Sequence, residues 1–165
     1  MRHRFFIVDD SLLQRTFLKS ILTSHNHEVV GEATNGSEAI AMYPELQPDL
    51  VILDINLPDI TGVQVLNEIL CIDGKAKIIM VTSMGQSAYL KECLLLGARD
   101  FVIKPVAEHR LLKSIEAVMG SLLKADGYSM IESLYYDSLL KNTRRAPKKV
   151  YIPALARLIQ RADFS

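Results

Sequence analysis

At 165 residues, 49% of them hydrophobic, the chain suits one domain of ordinary size with a real core and a few tens of residues left over. Its 19 Lys/Arg and 19 Asp/Glu cancel, which argues against general affinity for nucleic acid or an anionic membrane. The cancellation is uneven: residues 1–124 hold 12 basic against 15 acidic residues and residues 125–165 hold 7 against 4, so an acidic body carries a basic tail.

The basic start, Arg2-His3-Arg4, imitates a signal-peptide n-region, but only Phe5 to Val8 follow before Asp9-Asp10, too short for an apolar h-region. Phe5 to Val8 reads instead as a first strand. Asp10 or Ser11 is placed to cap a helix running to about Ser24, with Leu12, Leu13, Thr16, Phe17 and Ile21 at helical spacing. Glu28 to Thr34 is a weaker second strand. Asn35-Gly36 turns, Ser37 caps, and Glu38 to Leu46 forms a second helix that stops near Pro48.

Leu50 to Leu53 then run unbroken into Asp54. A short apolar run bounded by breakers reads as a strand buried on both faces, the kind found in parallel sheets. Thr61 caps a third helix through Val63, Val65, Leu66, Ile69 and Leu70. Lys77 to Val81 is a fourth strand, ending at Thr82-Ser83. Gln86 to Leu96 is a fourth helix closed by Gly97, a common C-terminal stop. Asp100 to Ile103 is a fifth strand, ending at Lys104-Pro105, and Glu108 to Leu123 a fifth helix with Leu111, Ile115, Val118 and Leu122 on one face. Cys71 and Cys93 have neither CxxC spacing nor a nearby His pair and read as free thiols of a reducing cytosol. No run approaches the length of a membrane span, so a cytoplasmic protein is expected.

Strand and helix alternate five times with short links, which specifies an α/β fold with a parallel sheet and helices on both faces. In such sheets ligands bind outside the carboxyl ends of the strands. Four strands deliver polar groups to that edge: Asp9 and Asp10, Asp54, Thr82, and Lys104. Taken singly, each has a plain structural reading: a helix cap, a turn residue, a turn hydroxyl, a solvated lysine. Together they converge. Two carboxylates about 4 Å apart repel by roughly 4 kcal/mol at an effective dielectric of 20, so a cluster of acids calls for a cation. Hard oxygen ligands completed by water suit Mg²⁺.

This arrangement resembles the receiver domain of bacterial two-component response regulators. The matching residues are Asp9-Asp10, Asp54-Ile55-Asn56-Leu57-Pro58, Val81-Thr82 and Phe101-Val102-Ile103-Lys104-Pro105, and the resemblance covers about residues 4 to 123. It implies a doubly wound, flavodoxin-like five-stranded sheet in the order 2-1-3-4-5. It also implies that Asp54 accepts a phosphoryl group from a histidine kinase or phosphotransfer protein. Asp10 and Asp54 would bind Mg²⁺ (or Mn²⁺) directly, Asp9 through water, and Asn56 through its backbone carbonyl. Lys104 would neutralise a phosphoryl oxygen and Thr82 hydrogen-bond another. Thr82 and Phe101 would form the switch, Asn56 and Met84 would flank the path of the hydrolytic water, and the peptide before Pro105 would be cis.

The implied boundaries are a receiver at 1–124 and a helical extension at 125–165. In the extension, Tyr128, Ile131, Leu134, Tyr135, Ser138 and Leu139 share one helical face, and Ile152, Leu155, Leu158, Ile159 and Ala162 another. The basic linker Arg144-Arg145-Ala146-Pro147-Lys148-Lys149 separates them. Three roles compete for the extension: packing on the receiver or on a second chain, docking a partner protein, or contacting nucleic acid. The expected output is protein–protein interaction, with a homodimer through the fourth/fifth helix face or the tail as a further option. Two rivals stand beside the switch: a DNA-binding regulator, and an aspartate-nucleophile phosphatase. Phosphatases of the haloacid-dehalogenase type place a second Asp two residues after the first, where this chain has Asn56.

Overall fold

An unbroken apolar strand has no face to offer water, and Leu50–Asp54 (β3) is buried at all five positions. The computed structural model describes residues 1–83 and 87–120, with the backbone alone at Ser87 and Ala88. Around β3 lie the strands Arg4–Val8 (β1), Glu28–Ala33 (β2), Ile78–Ser83 (β4) and Asp100–Lys104 (β5). The helices are Leu12–Ser24 (α1), Gly36–Leu46 (α2), Gly62–Ile72 (α3), Ser87–Leu96 (α4) and Glu108–Met119 (α5). All strand pairs are parallel and the order is β2-β1-β3-β4-β5. Residues 1–119 form one compact unit.

Successive strand residues point to opposite faces, and this alternation divides the core in two. Phe6, Val8, Val51, Leu53, Ile78 and Met80 meet Tyr43 of α2, Val65, Leu66 and Ile69 of α3, and Cys93 of α4. Phe5, Ile7, Leu50, Ile52, Ile79 and Val81 meet Leu18 and Leu22 of α1 and Leu111, Ile115 and Val118 of α5. Each large side chain so buried contributes roughly 1.5–3 kcal/mol.

The helix signals were largely as expected. Ser11 caps α1 and accepts a hydrogen bond from Gln14 N. At α3, Thr61 and Gln64 form a reciprocal capping box. Gly97, at φ 125°, follows α4 in the left-handed region that glycine tolerates. Two expectations are corrected. The cap of α2 is Asn35, whose Oδ1 accepts from Glu38 N at 2.9 Å, because the expected cap Ser37 donates its hydroxyl to Asp59 at 2.6 Å instead. In α1 the buried face is Arg15, Leu18, Ile21 and Leu22, whereas Leu12, Leu13, Thr16 and Phe17 face outward. Their spacing is helical, but the helix lies on the sheet along a neighbouring stripe.

Cys71 is exposed, Cys93 is buried, and both are free thiols. No helix among the described residues is long and apolar enough to cross a membrane. Met84, Gln86, Leu122, Leu123 and the whole extension at 125–165 lie outside the described residues.

Candidate functional site

The parallel register brings the strand ends to one edge. Val8 pairs with Leu53, Asp54 with Val81 and Ser83 with Lys104, so the residues that follow or end these strands emerge side by side. Asp9 continues from β1, its backbone N–H donating to the Ala33 carbonyl at 3.1 Å. Asp54 ends β3. One carboxylate oxygen from each of Asp9, Asp10 and Asp54 falls within 4.8 Å of the others. Asp9 and Asp54 are buried and Asp10 is exposed, so the cluster opens to solvent on the Asp10 side.

Lys104 reaches across from β5. Its Nζ donates to Asp9 Oδ2 at 2.9 Å and to Asp54 Oδ2 at 2.8 Å, and the Lys104–Pro105 peptide is cis. The other oxygens are held by backbone: Ser11 N donates to Asp9 Oδ1 at 2.9 Å and Asn56 N to Asp54 Oδ1 at 3.2 Å. Asp54, Asp9 and Lys104 therefore meet as expected, with Asp10 beside them.

Burial pushes the Asp54 carboxyl above its ordinary pKa, and the charge of Asp9 adds to this; the hydrogen bond and charge of Lys104 and the Asn56 N–H pull the other way without cancelling it. Burial alone would lower Lys104. The hydrogen bonds and charges of Asp54 and Asp9 outweigh it and hold the ammonium above its usual value. One lysine thus pairs with two of the three acids. The remaining negative charge, hard carboxylate oxygens and an open solvent side fit a divalent cation of the Mg²⁺ type.

Thr82 is buried on β4, one step beyond the register partner of Asp54, and its hydroxyl donates to the Ser83 carbonyl at 3.2 Å. Phe101 on β5 is partly buried against the core under α2, α3 and α4. The loop from Ile55 to Thr61 is tied down closely. Gly62 N donates to the Ile55 carbonyl at 2.8 Å, and a Cβ on Gly62 would lie 2.1 Å from the Asp54 carbonyl oxygen, so only glycine fits there. Asp59 accepts from Gly36 N, Ser37 N and the Ser37 hydroxyl, and these bonds hold its carboxyl below the ordinary range.

Two residues of this neighbourhood escape a reading by strand-end polarity. Asp59 sits in an exposed loop and carries no signal beyond its turn-forming type. Arg15 has one: it precedes Leu18 and Leu22 by three and seven residues, the spacing of a helix's inner face. Its Nη1 donates to the carbonyls of Asp9 at 2.8 Å and Asp10 at 3.2 Å.

The family model described as the response regulator receiver domain matches residues 5–116. Over 118 residues the chain is 44% identical to the chemotaxis protein CheY of Thermotoga maritima, covering 72% of this chain and 98% of that one. It is 42% identical over 120 residues to CheY of Bacillus subtilis, covering 73% and 100%. Among solved structures, the CheX–CheY–BeF3–Mg²⁺ complex from Borrelia burgdorferi matches with TM-score 0.69 and 32% identity, over 71% of this chain and 89% of that one. Fold, motif positions and relatives agree: the chain belongs to the response regulator receiver family, the phospho-accepting domains of two-component signalling.

Proposed function

We propose that this chain is a cytoplasmic phospho-switch in which Asp54 is the acceptor and a histidine kinase or histidine phosphotransfer protein is the donor. The observation that carries this is Lys104 bridging Asp9 and Asp54, with Asp10 completing the acid cluster. Asp10, Asp54 and the Asn56 carbonyl would hold Mg²⁺, or Mn²⁺ in its place, with Asp9 assisting through water. When bound, the ion supplies charge neutralisation for an incoming phosphoryl group.

The chain's own residues do the rest. The Asp54 carboxylate attacks phosphorus, the P–N bond to the donor imidazole breaks with its electron pair returning to nitrogen, and an acyl phosphate forms. The Asn56 N–H orients the attacking carboxylate. Lys104 turns from the carboxylate to the new anionic oxygens, which add roughly 1.5 to 2 negative charges. Thr82 donates its hydroxyl to a phosphoryl oxygen, and Phe101 moves inward behind it. Such a switch needs about 5.5 kcal/mol of differential interaction to pass from 1:99 to 99:1.

Exposed apolar side chains support a role by protein contact. Leu12, Leu13 and Phe17 are exposed on α1, the helix that directly follows Asp9-Asp10 in the chain, and offer apolar surface to a donor. Tyr89, Leu95, Leu96 and Ile103 give the α4–β5 face apolar surface for an output protein or a second copy. We place the receiver boundary near residue 124 and assign the extension to partner contact, with nucleic acid the weaker option for it.

Incubation with Mg²⁺ and acetyl phosphate tests the proposal. One stable label at Asp54, absent in Asp54→Asn, supports the switch. Sustained turnover of phosphomonoesters would make the chain a phosphatase instead, a role for which Asn56 lacks the acid. Salt-dependent duplex DNA binding lost on removing residues 125–165 would make the output transcriptional.

A further inference from the structure

A buried arginine is costly unless its charge and its donors are all answered, and an apolar side chain packs such a position more cheaply. Arg15 is nonetheless 8% exposed on the inner face of α1. Its partners explain the choice. Nη1 donates to the Asp9 carbonyl at 2.8 Å and the Asp10 carbonyl at 3.2 Å, while Nε donates to Glu32 Oε2 at 3.3 Å. Glu32 is itself fixed by Lys19, 2.7 Å from its other oxygen. Glu32 lies on β2 beside Ala33, whose carbonyl takes the Asp9 N–H at 3.1 Å. The peptide groups of the acid pair are therefore gripped from α1 and from β2 together. A guanidinium presents Nη1 and Nε in one rigid plane, so it can hold the two carbonyls and the carboxylate at once, whereas a single ammonium has no such spread.

We infer that Arg15, braced by Glu32, is a positioning residue for the metal-binding acids: it fixes the backbone from which the Asp9 and Asp10 carboxylates project, and so sets the affinity of the site for a divalent cation. This rests on the metal reading of the acid cluster given above. Partners one step removed from a metal ligand characteristically change affinity by about 10–100-fold when lost.

The test is Mn²⁺ binding to the full chain by calorimetry and by electron paramagnetic resonance. Circular dichroism and thermal melts establish that each protein is folded. Arg15→Met, which keeps the aliphatic stem, is expected to weaken Mn²⁺ about 10–100-fold. Glu32→Gln, whose side-chain amide oxygen can still accept from Arg15 Nε at a partly exposed position, is expected to weaken it about two- to fivefold. In acetyl phosphate labelling of Asp54, both variants should need more Mg²⁺ for half-maximal rate, while excess Mg²⁺ restores the rate. That separation is not produced by a residue that only supports the fold. Native-like Mn²⁺ affinity in folded Arg15→Met overturns the inference; if that variant does not fold, native-like affinity in Glu32→Gln does so. An unaltered chain that binds no Mn²⁺ overturns the metal reading itself, and the two failures are distinct.

Discussion

Replacing Asp54 by Asn probes the balance of charges directly. Asp9, Asp10 and Asp54 bring carboxylate oxygens within 4.8 Å of one another, so each pair repels by at least about 3.5 kcal/mol at an effective dielectric of 20. Asp54→Asn removes two such repulsions, about 7 kcal/mol together. It also removes the attraction to Lys104 at 2.8 Å, about 6 kcal/mol on the same scale, while Lys104 keeps Asp9. The Asn56 N–H retains an acceptor in the new side-chain carbonyl. The difference favours the variant by about 1 kcal/mol, and relief of the buried charge acts in the same direction. The direction of the Asp54 pKa agrees: an acid whose folded pKa is raised destabilises the fold at neutral pH. Without metal, at pH 7, Asp54→Asn should melt about 2–4 °C higher than the unaltered chain. Mg²⁺ should stabilise the unaltered chain and leave the variant nearly unmoved. Thermal melts in EDTA and in Mg²⁺ decide it. A variant that melts lower in EDTA would show that Lys104 pairing, not acid repulsion, dominates the empty cluster, and the electrostatic account of the site would fail.

Gly62→Ala drives a methyl into the Asp54 carbonyl, so the start of α3 must shift; a loss of about 1–3 kcal/mol in urea unfolding and slower Asp54 labelling are expected, and unchanged values would refute the close approach. Burial, with help from the charge of Glu92, pushes the Cys93 thiol up to about 11. With a disulfide reagent at pH 8, exposed Cys71 should react promptly and Cys93 only as slowly as the fold opens, as peptide mapping of the modified thiols would show. His27 is held below its ordinary pKa by burial, with His3, the N-terminus and His25 adding to it, and its Nδ1 accepts from His3 N at 3.4 Å. A lowered histidine contributes stability that is complete above about pH 6.5 and is lost as pH falls through the folded value. Urea unfolding from pH 7.5 to 5 should therefore show a shallower acid loss in His27→Gln than in the unaltered chain; equal slopes would remove His27 from the account.

The sequence by itself determined what depends on neighbours along the chain. The unbroken run Leu50–Leu53 needed cover on both faces wherever it lay, and the five-fold alternation left a parallel sheet as its only economical cover. Strand direction then placed Asp9, Asp10, Asp54, Thr82 and Lys104 at one edge, and the cap at Thr61 followed from its own turn. Tertiary structure decided whatever depends on groups distant in sequence. Ser37 lost the cap of α2 to Asn35 because Asp59, 22 residues away, claimed its hydroxyl. Of the apolar positions read at helical spacing in α1, Ile21 took the inner face while Leu12, Leu13 and Phe17 did not. Periodicity states how far apart the inward positions are, but not which of two stripes turns inward, and here the choice brought Arg15 against the Asp9 and Asp10 carbonyls. The partners that lie far off in sequence, Asp59 for Ser37 and Glu32 for Arg15, 22 and 17 residues away, meet them only once the chain has closed on itself, because their worth depends on distance in space.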